Sequence, residues 1–260
     1  MTDKLGARLF VRDDLAAGAP VALTRDQTHY LAHVLRLGSG AAVALFNGRD
    51  GEWLARIESL RKNGALLAVG GRLREQGVEP DLWLVFAPVK RAPLDFLVQK
   101  ATELGVSALL PAITRRTVVE RVKRARMEAN AVEAAEQCER LTVPEVREAA
   151  PLSRILDDWR GGRHILLCAE SGDAEPIHAF LERIGPAGRC AILTGPEGGF
   201  EKTELDALRK LPFVTAVGLG PRVLRADTAA LAALACWQAV LGDWRKRPPG
   251  REQTGFSEKA

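Results

Sequence analysis

Leu193-Thr194-Gly195-Pro196-Glu197-Gly198-Gly199-Phe200 and, further on, Val217-Gly218-Leu219-Gly220-Pro221-Arg222-Val223-Leu224-Arg225 decide the reading of this chain. Each begins as a short apolar run, breaks at glycines and leads into residues with helical spacing. An apolar strand, a glycine turn and a helix in succession form half of a parallel crossover unit. In open α/β sheets, ligands bind beyond the carboxyl ends of the strands. Glycine removes the Cβ there, so backbone can approach a ligand closely. Either turn alone is equally a plain strand-to-helix connection; two in one sheet suggest one small-molecule pocket.

The same alternation extends outward. Residues 82–87, 106–111, 165–169, 190–194 and 214–219 read as strands. A helix follows the first, with Pro93 in its opening turn, Leu94, Leu97, Val98, Ala101 and Leu104 at helical spacing, and Gly105 as its stop. Residues 120–140, 202–210 and 226–242 read as further helices. Alternating β and α predicts a mostly parallel sheet with helices on its faces. The polar stretch 71–80 ends in Pro80 and marks a boundary. Before it lies a small β-rich unit. Residues 43–46 and 65–69 are apolar runs, and Trp53, Ala55 and Ile57 alternate with Leu54, Arg56 and Glu58. The turn signals Asn47-Gly48 and Asp50-Gly51 stand between the first two. Residues 28–37 read as a helix with Leu31, Val34 and Leu35 on one face. The expected organisation is a first domain at 1–73, a second at 74–246 and a disordered tail at 247–260, where Pro248-Pro249-Gly250 opens a stretch poor in apolar residues.

Composition narrows the function classes. The excess of 37 Lys and Arg over 33 Asp and Glu gives a net charge of only +4, which permits a nucleic-acid partner without arguing for one. Cys138, Cys168, Cys190 and Cys236 form no CxxC pair, so neither a zinc site nor a disulfide framework is expected. His29 and His33 stand at i, i+4 but lack the Glu of HExxH, and no metal is expected there. No run approaches the roughly 20 apolar residues of a membrane span, and charges interrupt the N-terminus. The expectation is a cytoplasmic protein with no membrane partner. The glycine turns also lack the Lys of a phosphate-binding loop, and Glu197 would repel a pyrophosphate. Val223 stands where a dinucleotide fingerprint needs Gly, which disfavours a nucleotide-dependent oxidoreductase. A nucleoside without phosphate and with a cationic centre, such as S-adenosylmethionine, fits these turns better.

Gly195-Pro196-Glu197-Gly198-Gly199 followed by Leu219 to Ala229 resembles the RsmE family, the 16S ribosomal RNA uridine-N3 methyltransferases of the SPOUT superfamily. Further matches are Gln99-Lys100 with Glu103-Leu104-Gly105-Val106, the segment Glu133 to Cys138 with Arg140 and Val143-Pro144, and His33-Val34-Leu35-Arg36. One departure is Ala226-Asp227-Thr228 where many members have Thr-Glu-Thr; Asp keeps the carboxylate and shortens its reach.

The resemblance implies a PUA-like β-barrel followed by an α/β domain with a trefoil knot, and a homodimer. It implies S-adenosylmethionine as cofactor and N3 of a specific uridine, uridine 1498, of 16S rRNA within the small ribosomal subunit as target. The cofactor residues would be Leu193, Thr194, Gly195, Pro196, Glu197, Gly198, Gly199, Leu219, Gly220, Leu224, Ala226 and Thr228. Uridine N3 carries a proton and must lose it to become a nucleophile. Arg is always protonated, so Arg225 and Arg222 would stabilise negative charge on the uracil, with Glu197 or Asp227 as base or orienting group. RNA contacts are expected from Arg8, Arg12, Arg36, Lys90, Arg91, Arg115 and Arg116, and from the run Arg121, Lys123, Arg124 and Arg126. A ribose 2′-hydroxyl methyltransferase and a non-catalytic RNA-binding protein of the same fold are the alternatives.

Overall fold

In the computed structural model, the described residues are 5–61, 64–119, 121–159, 162–169, 174–185 and 189–247. The predicted tail falls almost wholly outside them. The chain forms two compact units. The first holds residues 1–78 and 135–143, and the second holds 79–134 and 144–246.

The first unit contains β1 (Ala7–Phe10), β2 (Pro20–Ala22), α1 (Arg25–His29), β3 (Ala42–Phe46), β4 (Glu52–Arg61) and β5 (Gly64–Arg74). The strands form one sheet in the order β1-β3-β4-β5-β2. The pairs β3–β4, β4–β5 and β2–β5 are antiparallel, and β1–β3 is parallel. Asn47 holds the β3–β4 turn: its Oδ1 accepts the N–H groups of Arg49 and Asp50, and its amide donates to Asp50. Leu9, Val21, Leu31, Val43, Leu45, Ile57, Leu67 and Val69 form the core.

Two expectations change here. The helix predicted over 28–37 is α1 followed by a π-turn over Tyr30–Val34, in which the Leu35 N–H donates to the Tyr30 carbonyl at 3.0 Å. Five residues per hydrogen-bonded ring instead of four rotate the side chains that follow. Leu31 is fully buried, but Val34, predicted to share its face, is exposed. Arg8, predicted to touch RNA, is buried. Its Nε donates to Glu52 at 2.5 Å, its NH1 and NH2 groups donate to the carbonyls of Ala135 and Arg140, and its guanidinium lies 3.7 Å from the Phe46 ring centroid. Arg74 reaches the same carboxylate at 2.6 Å and donates to the Glu139 carbonyl at 2.9 Å. Two guanidiniums and one carboxylate thus form a buried node that also satisfies carbonyls at and just beyond the end of the helix over Arg124–Gln137. Burial alone would raise the Glu52 carboxyl, but the hydrogen bond and charge of Arg74 and the charge of Arg8 outweigh it and hold it below its ordinary value.

The second unit contains β6 (Leu82–Phe86), α2 (Arg91–Glu103), β7 (Ala108–Ile113), α3 (Arg124–Gln137, whose last residues belong to the first unit), β8 (Glu145–Val146), β9 (Ala150–Pro151) and α4 (Leu152–Asp157). It continues with β10 (His164–Cys168), β11 (Glu175–Pro176), α5 (Ile177–Ile184), β12 (Cys190–Thr194), α6 (Lys202–Arg209), β13 (Val214–Gly218) and α7 (Ala226–Val240). The strand order is β11-β13-β10-β12-β6-β7-β8, with β9 also on β7, and every pair is parallel. A parallel sheet covered on both faces needs strands apolar on both sides, and β12 is buried at all five positions. Alternate residues Val85, Leu110, Ile165, Leu167, Ala191 and Leu193 meet Leu152 of α4 and Leu208 of α6. The other face carries α7, which packs on β12, α2 and α5. Gly105 ends α2 at φ 79°, as predicted, and Gln238 of α7 donates to the Leu104 carbonyl at 2.7 Å. His164 at the start of β10 is 2.8 Å from Thr215 Oγ1 and stacks on Phe180. Trp244, beyond the end of α7, is exposed.

Candidate active site

Strand β10 lies between β12 and β13. The registers Leu167↔Leu193 and Cys168↔Val217 bring the carboxyl ends of all three strands level. Both glycine-rich turns therefore leave the same edge of the sheet, one on each side of the end of β10. A cavity of about 260 Å³ opens at the ends of β10 and β13, lined by Cys168, Ala169, Ala174, Pro176, residues 218–220, residues 222–224 and Ala229. Gly220 turns the chain at φ 97°, in the left-handed region that a Cβ penalises. Burial, with Cys236 adding to it, pushes the Cys168 thiol up to about 12. At neutral pH it is an uncharged wall of the cavity. Arg222 is the one charged residue among the described lining.

Of the predicted cofactor residues, Leu219, Gly220 and Leu224 line this cavity, and Ala226 and Thr228 open α7 just beyond it. Leu193, Thr194, Gly195, Pro196, Glu197, Gly198 and Gly199 do not line it; they stand at the neighbouring strand end. Leu193 and Thr194 are buried, and the Thr194 carbonyl accepts the Ala87 N–H. The next turn is tight: a Cβ at Gly195 would sit 2.9 Å from the Phe200 ring. Cys168, Ala169, Ala174 and Pro176 were missed. Their signal was present, because residues 165–169 were predicted as a strand and strand ends are where ligands bind. What was lacking was knowledge that this strand lies between β12 and β13.

The predicted catalytic residues surround the second turn. Arg225 caps α7 through its backbone, with its side chain exposed. Asp227 stands in the first turn of α7, where the helix dipole favours negative charge. Its Oδ1 accepts the Thr228 N–H at 2.8 Å. Glu197 is exposed at the tip of the first turn. Among the described residues, Glu197, Arg222 and Arg225 make no ion pair, so three formal charges near the cavity are uncommitted.

Apart from the buried Arg8, the predicted RNA-contact residues separate into three groups. Arg12, Arg36, Lys90, Arg121 and Lys123 are exposed. The side chain of Arg91 lies outside what is described. Arg115, Arg116, Arg124 and Arg126 are exposed but engaged. Arg124 pairs with Glu128 and Glu148, and Arg126 pairs with Asp95. Arg116 donates to the Gly198 carbonyl at 2.8 Å, and Arg115 binds Glu204 through its backbone and Glu201 through its side chain, each at 2.9 Å. These two arginines, beyond the end of β7, brace the first glycine turn and the start of α6. No helix among the described residues is long and apolar enough to cross a membrane, and the four cysteines are free.

A family model described as an RNA methyltransferase domain matches residues 78–238, and one described as an RNA methyltransferase PUA domain matches residues 23–69. The ribosomal RNA small subunit methyltransferase E of Rickettsia conorii is 33% identical over 232 residues, covering 88% of this chain and 93% of that protein. That of Bacillus subtilis is 28% identical, over 82% of this chain and 87% of that protein. Among solved structures, ribosomal RNA small subunit methyltransferase E from Neisseria gonorrhoeae bound to S-adenosyl methionine superposes with a TM-score of 0.83 at 28% identity, covering 92% of this chain and 99% of that one. A putative methyltransferase from Legionella pneumophila in complex with the same cofactor gives 0.80 at 28% identity, over 91% and 98%.

Proposed function

This chain belongs to the ribosomal RNA small subunit methyltransferase E family, a SPOUT-type α/β methyltransferase domain behind a PUA-like domain, and from that premise we propose that it methylates N3 of a uridine in 16S rRNA. The observation that carries the reading is the set of uncommitted charges beside the cavity: Arg222 in its lining, Arg225 at the cap of α7 and Glu197 on the adjacent turn.

The residues present fit S-adenosylmethionine. The described lining is mostly apolar or backbone and has no Lys to hold a phosphate. Residues 218–220, Leu224 and Ala229 would hold the cofactor, with Cys168 and Ala169 opposite. When bound, it supplies an electrophilic methyl group on a sulfonium. Everything else is asked of the protein. Arg225 and Arg222 stabilise the negative charge that develops on the uracil carbonyl oxygens as N3 loses its proton. Of the two carboxylates, Asp227 already accepts the Thr228 N–H, whereas Glu197 is free to receive the proton or orient its acceptor. The target base must leave its stack to enter such a site. We assign the exposed Arg12, Arg36, Lys90, Arg121 and Lys123 to phosphate contact, which makes RNA affinity salt-dependent. A homodimer in the cytoplasm completes the proposal. The dimer is supported by the partly exposed apolar Leu231 and Ala235 on α7, by Leu241 at its C-terminal cap and by the exposed Phe96.

The test is nucleoside mass spectrometry of small-subunit rRNA from cells lacking this protein, before and after treatment with protein and S-adenosylmethionine. N3-methyluridine should be absent and then restored. Arg225→Ala should lose about 100-fold or more in turnover with cofactor binding kept, the usual loss of one charge-stabilising donor. Unchanged N3-methyluridine refutes the target, and a ribose-methylated nucleoside in its place identifies the 2′-hydroxyl reaction.

A further inference from the structure

The π-turn of the first unit presents aromatic rings, beside Arg36, that the transfer step does not use. Leu31 is fully buried, and Leu35 and Leu37 pack against the same core. Directed outward instead are His29, Tyr30, His33, Val34 and Arg36, with Arg25 one turn earlier. Tyr30 is 41% exposed and Val34 59% exposed. The rings of His29 and His33 lie 4.8 Å apart at 37°. The two i, i+4 histidines thus form a tilted ring pair at the surface, and no group of three potential metal ligands exists among the described residues.

The backbone here is unusual in two ways. The π-turn itself is one, and Arg36 at φ 54° is the other, since a bulky side chain is penalised in the left-handed region. Such features cost free energy and cluster where function uses them. Here the effect is to anchor three leucines inward while aligning aromatic rings outward between two arginines.

We propose that this turn is a stacking platform for unpaired RNA bases, with Tyr30 and the His29–His33 pair receiving bases and Arg25 and Arg36 receiving the flanking phosphates. The chemistry selects the partner. Every nucleobase has a π-face, single-stranded RNA is held by aromatic rings set among cations, and the patch alternates rings with positive charge. A protein partner would call for a continuous apolar surface, and Val34 is the only large aliphatic side chain exposed on this turn. The inference rests on RNA being the substrate. It adds base stacking to the phosphate contacts already assigned to Arg12 and Arg36 in the first unit, so it acts on RNA affinity and leaves the transfer step alone.

The experiment compares wild type with Tyr30→Ala, Tyr30→Phe, His33→Ala and Arg36→Gln. It measures binding of a labelled oligouridine, steady-state methylation of small ribosomal subunits from cells lacking this protein, and S-adenosylmethionine binding. Tyr30→Ala should weaken oligouridine binding about 5- to 150-fold, the range for one lost base–aromatic stack. It should raise KM for subunits while kcat and cofactor binding stay put, and Tyr30→Phe should restore affinity. Arg36→Gln should lower the salt slope by about one ion, which Tyr30→Ala should not. Wild-type RNA affinity in both Tyr30→Ala and His33→Ala overturns the platform. If wild type itself neither binds nor methylates subunits, the functional reading fails instead, so the two failures are distinguishable. Since Tyr30 and His33 are exposed, unchanged thermal unfolding verifies that each variant is folded.

Discussion

Replacing Glu52 with Ala should unfold the first unit before it touches catalysis. The Glu52 side chain is 3% exposed and faces Arg8, at 2%, and Arg74, at 20%. Removing the carboxylate leaves Arg8 charged, because a guanidinium does not give up its proton, and buried, because its other partners are only main-chain carbonyls. Breaking a buried pair from one side costs about 3–5 kcal/mol. Arg74 can turn partly to water, and Arg8 keeps its bonds to Ala135 and Arg140, so the low end applies: about 3 kcal/mol, or two powers of ten in the folding constant. In a unit of this size that lowers the melting temperature by about 12 °C or more. Hydrogen exchange resolved by peptide reads the loss within residues 7–74, which a single melting curve of two units would blur. The pH dependence has a defined sign. A carboxyl held below its unfolded value contributes stability that is fully present above the ordinary carboxylate range and is lost as pH falls through its depressed folded value. Glu52→Ala should abolish that part of the acid sensitivity. If the variant protects these strands to within about 1 kcal/mol of wild type, the node does not carry the Arg8 charge, and Arg8 is again available as an RNA contact.

Gly220→Ala should weaken S-adenosylmethionine binding by roughly tenfold, since a Cβ at φ 97° costs about 1–2 kcal/mol. The added methyl meets no neighbour, so calorimetric binding equal to wild type would mean that this turn does not hold the cofactor. Arg116→Ala removes the bond to the Gly198 carbonyl and should raise KM for the cofactor severalfold while leaving the salt dependence of RNA binding intact. A shallower salt slope with unchanged cofactor KM would return Arg116 to the RNA.

Most of the parallel sheet was legible because its central strands are short, largely apolar runs set off by glycine or proline, and such runs have few other uses. The short strands β1, β2, β8, β9 and β11 and the helices α4 and α5 were not read. The strands are two to four residues long, too short for a period to declare itself. The site was legible in its turns, where residue chemistry is local, and illegible in its walls. Cys168 and Pro176 reach the cavity only because β10 and β11 flank β13, and strand order across a sheet is not encoded in any one window of sequence. Arg8 was misread because an arginine between apolar neighbours in an edge strand carries no local mark of the carboxylate that will bury it. Val34 was misread because helical periodicity assumes a constant ring size, and the π-turn that begins four residues earlier, at Tyr30, breaks it.

The membership of residues 135–143 in the first unit has a consequence for the order of synthesis. The carbonyls of Ala135, Glu139 and Arg140 are the ones that Arg8 and Arg74 satisfy. A chain emerging from the ribosome presents all of β1 to β5 well before those acceptors exist. During that interval the two guanidiniums must remain hydrated or lean on Glu52 alone. The first sheet therefore cannot finish its interior when its last strand appears; it waits for a segment made after the second unit has begun. A fragment ending at residue 78 should for that reason be a loosened version of the same sheet, and supplying residues 135–143 as a peptide should tighten it.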